Sequence, residues 1–230
     1  MDIPWKGLFK INSFTPSLIF GKSPTSSSPT ESTGKRREIN ERVVALIIHG
    51  FTITHVITAA MLGPAAGAAL TPMTTAMIFS IGLQCSINFS IASALKIAAN
   101  LAGLIAGTAI AEFIIGLIPG LGNIANACAT GIVTQILGWS AFIMLRDNID
   151  GGNLSFWDKI NLIIAAWKLR NKNEEFRKKL ESARNRMNSS ERSRYDRYMK
   201  ILTNKESDYL QRRDAQIQVE EILKPYGITL

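Results

Sequence analysis

Between Val43 and Leu145 only two side chains carry a formal charge, Lys96 and Glu112. A soluble domain of that length has about a quarter of its residues charged. Two charges cannot furnish a water-facing surface, so this stretch must be covered by lipid, by another protein or by the rest of its own chain. The net charge of +8 lies entirely outside it. Residues 1–42 hold seven Lys/Arg against four Asp/Glu, and residues 146–230 hold eighteen against thirteen.

The apolar stretch is punctuated by turn formers. Val43–Leu62 is about as long as a bilayer core is thick, and Gly63-Pro64 ends it. Ala65–Leu83 follows, with Pro72 near its start, then Ile87–Ile118, the break at Pro119-Gly120, and Leu121–Leu145. These runs are long, Ala-rich and not alternating, so they predict helices and not strands. The fold class expected is all-α: membrane-inserted Gly/Ala-rich helical hairpins followed by a soluble amphipathic helical tail. Four segments return the chain to the side it started from. The basic cluster Lys35, Arg36, Arg37 and Arg42, with Arg146, suits the cytoplasmic side for both termini. Many Thr, Ser, Asn and Gln interrupt the segments, so re-entrant or interfacial placement stays open for some.

Three regions follow: a tail and Ser/Thr/Pro linker over 1–37, an apolar helical membrane domain over 38–146, and a basic helical tail over 154–230. Residues 1–22 mix aromatic and basic side chains and suit either a membrane surface or an unstructured tail. They contain no apolar core of signal-peptide length. Ser23–Gly34 has no apolar residue to bury and is expected to be disordered.

In the tail, Ser155 with Asp158 forms a capping-box pattern ahead of FWDKINLIIAAWKL. Trp157 and Trp167 near the ends of that helix, with Trp139 before it, suit a membrane interface. Leu162, Leu169, Phe176 and Ala183 then recur every seven residues, joined by Leu180 and Met187, as one apolar stripe on a charged helix. Ser189 or Ser190 is expected to cap a further helix presenting Tyr195, Tyr198, Met199 and Leu202. A last helix ends at Lys224-Pro225, completing a hairpin or three-helix unit.

Small residues one turn apart allow close helix contact in lipid, where apolar burial adds no drive for helices to associate. Gly63 and Gly67, Gly103 and Gly107, and Gly116 and Gly120 have that spacing. With Pro64, Pro119, Gly122 and Gly138 they form the expected set of turn and packing residues, and a homo-oligomer is one use for them. His49 and His55, six apart, do not share a helix face and read as single polar residues bonded within the bundle, not as a metal pair. Lys96 and Glu112 would be about 24 Å apart on one straight helix, so a direct pair needs a break between them. Otherwise they mark a partner contact, interface snorkelling or a conduction role. Cys85 and Cys128 have neither the number nor the spacing for a metal or disulfide framework.

No catalytic constellation or cofactor motif emerges. Gly21-Lys22-Ser23 lacks the upstream glycine of a phosphate loop, where Pro16 stands, and the NK pairs at Asn171 and Asn204 are not completed by a placed acid. Arg170, Arg177 and Arg184, seven apart, are candidates for contact with anionic lipid head groups or a protein partner. The interspersed acids argue against nucleic acid.

The run His49–Trp139 resembles the YcjF-like domain. It does so through HGFTITHVITAAMLGPAAGAALTPMTTAMI, ALKIAANLAGLIAGTAIAE and, above all, LIPGLGNIANACATGIVTQILGW, with its Pro119-Gly120-Leu121-Gly122 turn and closing Gly138-Trp139. The resemblance covers some two-fifths of the chain. It implies a helical protein of the bacterial inner membrane with no assigned enzymatic chemistry, and a cytosolic GTPase or a stress-response protein as partner. The sequence departs from the fused members in lacking a nucleotide domain, so such a partner would act in trans or be absent. The resemblance carries over no catalytic residue. Three roles compete: a membrane-anchored scaffold or adaptor, a conditionally inserting membrane-permeabilising or secreted effector, and a transporter or channel.

Overall fold

A computed structural model describes residues 39–62, 67–85, 89–106, 122–149, 154–204 and 206–230. Among these there are eight α-helices and no strand. They are α1 (Glu41–Leu62), α2 (Gly67–Gln84), α3 (Ile91–Ala106), α4 (Gly122–Arg146), α5 (Phe156–Lys172), α6 (Glu174–Arg186), α7 (Ser189–Thr203) and α8 (Tyr209–Leu223), with a 3-10 turn at Lys224–Tyr226. The expectations for 1–37, for Gly63-Pro64, Gly107, Gly116 and Pro119-Gly120, and for Glu112 fall outside the described residues.

Asn40 opens α1, its side-chain oxygen accepting from the Arg42 and Val43 backbone at 3.0 and 3.4 Å. This satisfies N–H groups that the first turn leaves without partners. The hydroxyls within the apolar helices turn back onto their own carbonyls: Thr52 to Ile48 at 2.8 Å, Thr54 to Gly50 at 3.1 Å, Thr75 to Thr71 at 3.0 Å and Ser80 to Ala76 at 2.9 Å. Such back-bonding lets a helix carry Ser and Thr on apolar surroundings without orphaned polar atoms.

Helices α1 and α4 run antiparallel and approach closely at two glycines. A Cβ on Gly138 would stand 2.8 Å from Ile48, and one on Gly131 would stand 2.9 Å from Val56. These glycines are seven apart on one face of α4, two turns of a close seam. Helix α2 returns along α1, tied by His55 Nε2 to Thr74 Oγ1 at 3.1 Å. Helix α3 folds back on α2, where the Phe89 ring stacks on Phe79 with centroids 6.5 Å apart.

The remaining helices wrap one end of this bundle. Ser155 and Asp158 form the expected capping box at α5, which buries Leu162 and Ala166 with the α1–α4 core. The expected single charged helix is divided at Asn173. Its side chain donates to the Leu169 carbonyl and to Glu41 of α1, both at 3.0 Å, so a contact with a remote helix accompanies the break. Helix α7 is capped by Asn188 paired with Glu191, not by Ser189 or Ser190. Asn188 has the acid three places on that the reciprocal cap requires.

The stripe residues Leu180, Ala183 and Met187 are buried with Tyr195, Met199 and Leu202, and Leu46 of α1 joins them in the same core. Tyr198 is half-buried against it. Arg212, buried in the α7–α8 hairpin, donates to the Leu202, Asn204 and Ser207 carbonyls. It thereby satisfies the chain end of α7.

Helix α1 is therefore covered unevenly. Its first half lies between α4 on one side and α6–α7 on the other, with Val43, Val44, Leu46 and Ile47 fully buried. Its last turns leave Ile57, Met61 (79% exposed) and Leu62 uncovered, and α3 leaves Ile91 and Leu95 uncovered. One end of the bundle carries a charged sheath, and the other is uncharged apart from Lys96 among the described residues.

The Gly138–Ile48 contact makes a test. Gly138→Ala is expected to destabilise the chain by about 1–3 kcal/mol through overpacking. In the Ile48→Ala background the same change is expected to cost far less, a coupling readable by thermal unfolding of the two single variants and the double.

Candidate functional site

The charged sheath and the apolar bundle meet at His49. The residue is 6% exposed, and its Nδ1 is buried without a hydrogen-bond partner. It points from α1 toward the row of arginines on α5 and α6, and two cavities open beside it. One, of about 350 Å³, lies between α1, α6 and α7, with Phe51, Ile53 and Met199 as apolar walls and Arg184, Tyr195, Asp196 and Lys200 as polar ones. The other, of about 20 Å³, lies between α1, α4, α5 and α6 and is bounded by Gln135, Trp139, Arg170 and Arg177. Its size matches a single water molecule.

The three arginines differ in how they are engaged. Arg177 is held by Glu174 and Glu181. The Arg170 guanidinium lies over the Trp167 ring, 5.0 Å from its centroid, and 3.9 Å from Glu174, with its Nε buried and unpartnered. Arg184 reaches Asp196 through a single contact of 3.3 Å, and its Nε is likewise buried without a partner. Lys200 is exposed and forms no salt bridge with the described residues. Cationic hydrogen-bonding capacity is thus left over on the wall shared by Arg184 and Lys200.

At the start of α1 the charges are matched more fully. Glu41 accepts from Lys172 and Asn173 at 3.0 Å each, and Arg42 donates to Thr229 at 2.8 and 2.9 Å. Burial works against ionisation of the Glu41 carboxyl, but the bonds from Asn173 and Lys172 outweigh it and hold its pKa below the usual value. Burial pushes the Tyr195 phenol up.

His55, in contrast to His49, is satisfied: its Nδ1 meets the Phe51 carbonyl at 2.7 Å and its Nε2 meets Thr74. Trp139, expected at a membrane interface, is 3% exposed and packs edge-on against Phe142 inside the bundle. Trp167 is half-buried beneath Arg170, whereas Trp157 is 69% exposed. Lys96 lies on the outer face of α3. Gly67 and Gly122 are the first residues of α2 and α4, and Gly103 lies within α3. Cys85 is half-buried at the end of α2, and burial pushes its thiol up to about 11.

The sequence reading missed Gly131, whose heptad spacing from Gly138 was the available signal. It also missed the gathering of His49, Arg184, Tyr195 and Lys200, which come from three helices and leave no local pattern. Among the described residues no group of three His, Cys, Asp or Glu side chains is arranged to hold a metal ion.

Burial, reinforced by the Arg177 and Arg184 guanidiniums and offset by Glu174, pushes the His49 imidazole down to about 4. The folded protein then takes up this proton near 4, whereas the unfolded chain takes it up near the ordinary value of 6.5. The unfolded state binds more protons in that window, so stability is full above it and falls as pH drops through it. Loss from this one group is expected to reach about 3 kcal/mol. His49→Gln should flatten the fall in unfolding free energy between about pH 7 and about pH 4.5 relative to the parent chain.

No family model, curated protein or solved structure matches this chain.

Proposed function

We propose that the protein is a membrane-anchored helical scaffold or adaptor, with the uncharged end of its bundle in the lipid and its basic sheath standing at the head groups to receive a cytosolic partner. The observation that carries this reading is the uneven coat of α1. Charged helices cover its first half, whereas Ile57, Met61 and Leu62, with Ile91 and Leu95 of α3, are left to the surroundings. Large apolar side chains left exposed on an uncharged part of the bundle fit a contact with lipid or protein. Two helices, Glu41–Leu62 and the Ala129–Arg146 part of α4, are long and apolar enough to cross a membrane by length and composition. In this reading their sheathed halves stay in the protein head and only the far halves meet lipid.

The start of α1 and the end of the chain are joined by the Arg42–Thr229 bonds, so both lie on the sheath side. That placement fits a head on one face of the membrane, the cytoplasmic face if the basic flanks follow the usual asymmetry. The resemblance of His49–Trp139 to the YcjF-like domain makes a small GTPase the partner to test first.

A second reading, a conditionally inserting effector, is favoured by one observation. The two candidate spans bury 56% and 72% of their apolar windows within the bundle itself. A chain packed that far without lipid could exist in water before it inserts.

Membrane extraction separates the two. As an anchored scaffold, the full chain is expected to stay with the membrane pellet through high salt and alkaline carbonate, and the purified protein to leave dye-loaded liposomes intact. Release by salt or carbonate would contradict anchoring. Dye leakage caused by detergent-free protein would establish the effector reading in its place.

A further inference from the structure

The cavity of about 350 Å³ between α1, α6 and α7 combines cationic and apolar walls. It sits at the level of Gly50–Thr54, where the charged sheath ends and the uncharged half of the bundle begins. On one wall Arg184 is committed to Asp196 by a single 3.3 Å contact, and its Nε is buried without a partner. Lys200 on the same wall has no carboxylate within salt-bridge distance among the described residues. The Asp196 charge therefore offsets one of these two cations and leaves the other. Ile53 and Met199 supply apolar surface in the same cavity, so it can hold a charged group and the first carbons attached to it.

We propose that this cavity holds the phosphate head group of an anionic membrane lipid, with Arg184 and Lys200 as the phosphate contacts and Ile53 and Met199 against the adjoining carbons. The proposal rests on the membrane reading above for the supply of the ligand. Guanidinium and ammonium groups differ in how they hold phosphate, the first by directed N–H groups and the second as a point charge. The pair offers both. Free phosphate shares the charge but not the carbons, so the apolar walls and the level of the cavity favour the lipid.

Native mass spectrometry of the full chain in a neutral detergent tests this. Phosphatidylglycerol is added in one arm, phosphatidylcholine in a second and inorganic phosphate in a third. The parent chain is expected to retain phosphatidylglycerol in preference to phosphatidylcholine. Arg184→Gln/Lys200→Gln is expected to lose that preference by roughly twenty-five-fold, since each of the two basic contacts near a head group contributes about fivefold. Arg194→Gln/Arg213→Gln removes two charges from exposed positions elsewhere and is expected to keep it. Circular dichroism checks that both variants are folded, and Lys200→Gln alone, at an exposed position, is expected to lose part of the preference.

Equal retention by parent and cavity variants would overturn the site, and so would an equal loss in the control variant. Stabilisation of the parent, but not the cavity variant, by inorganic phosphate with no lipid preference would overturn the lipid as source. Failure of the membrane reading would appear separately, as release of the protein by carbonate.

Discussion

The packing of α1 between two unlike neighbours is what the rest of the structure depends on. Toward α4 it offers Ile48 to Gly138 and Val56 to Gly131, contacts so close that neither glycine has room for a methyl group. Toward the tail it offers Leu46, fully buried among Leu180, Ala183, Tyr195 and Leu202. Burial of one such leucine contributes roughly 1.5–3 kcal/mol. The apolar helix α1 thereby becomes the shared core of two groups of helices. The charged residues of α5–α8 give the first half of α1 the polar exterior its own composition denies it, and that cover ends before Ile57.

This arrangement explains why His49 sits where charge is left over. A polar residue on the sheathed half of α1 faces the basic stripe of α5–α6, which has more cationic groups than nearby carboxylates can match. Glu174 and Glu181 hold Arg177, whereas Arg170 leans on Trp167 and Arg184 on a single oxygen of Asp196. Desolvation among these cations keeps His49 neutral. A few residues further along α1, His55 faces α2 and finds Thr74 and a carbonyl of its own helix.

Local features made much of the helix order legible. Ser155 and Asp158 marked the start of α5, and the spacing of Leu180, Ala183 and Met187 marked the buried face of α6. What could not be read locally depends on partners distant in sequence. Asn173 divides α5 from α6 with its amide on Glu41, 132 positions away. The cover of α1 by α6 and α7 is a long-range event too, so Val43–Leu62 reads as one bilayer-length run although its two halves meet different surroundings. Trp139 shows the same limit: an aromatic near a helix end suits an interface by type, yet the fold places it against Phe142. Asn188 is a different case, because the Asn188–Glu191 cap is a local pattern that competed with the adjacent serines.

The proposed division of α1 into a sheathed half and a lipid-facing half is tested most directly by measuring depth. Nitroxides would be attached through Met61→Cys and Arg194→Cys, each in a chain with Cys85 and Cys128 replaced by serine, and reconstituted into vesicles. Relaxation by oxygen, which partitions into lipid, is compared with relaxation by a water-soluble nickel chelate. Position 61 is expected to respond to oxygen and be shielded from the chelate, and position 194 to behave in the opposite way. Free access of the chelate to position 61 would contradict the account.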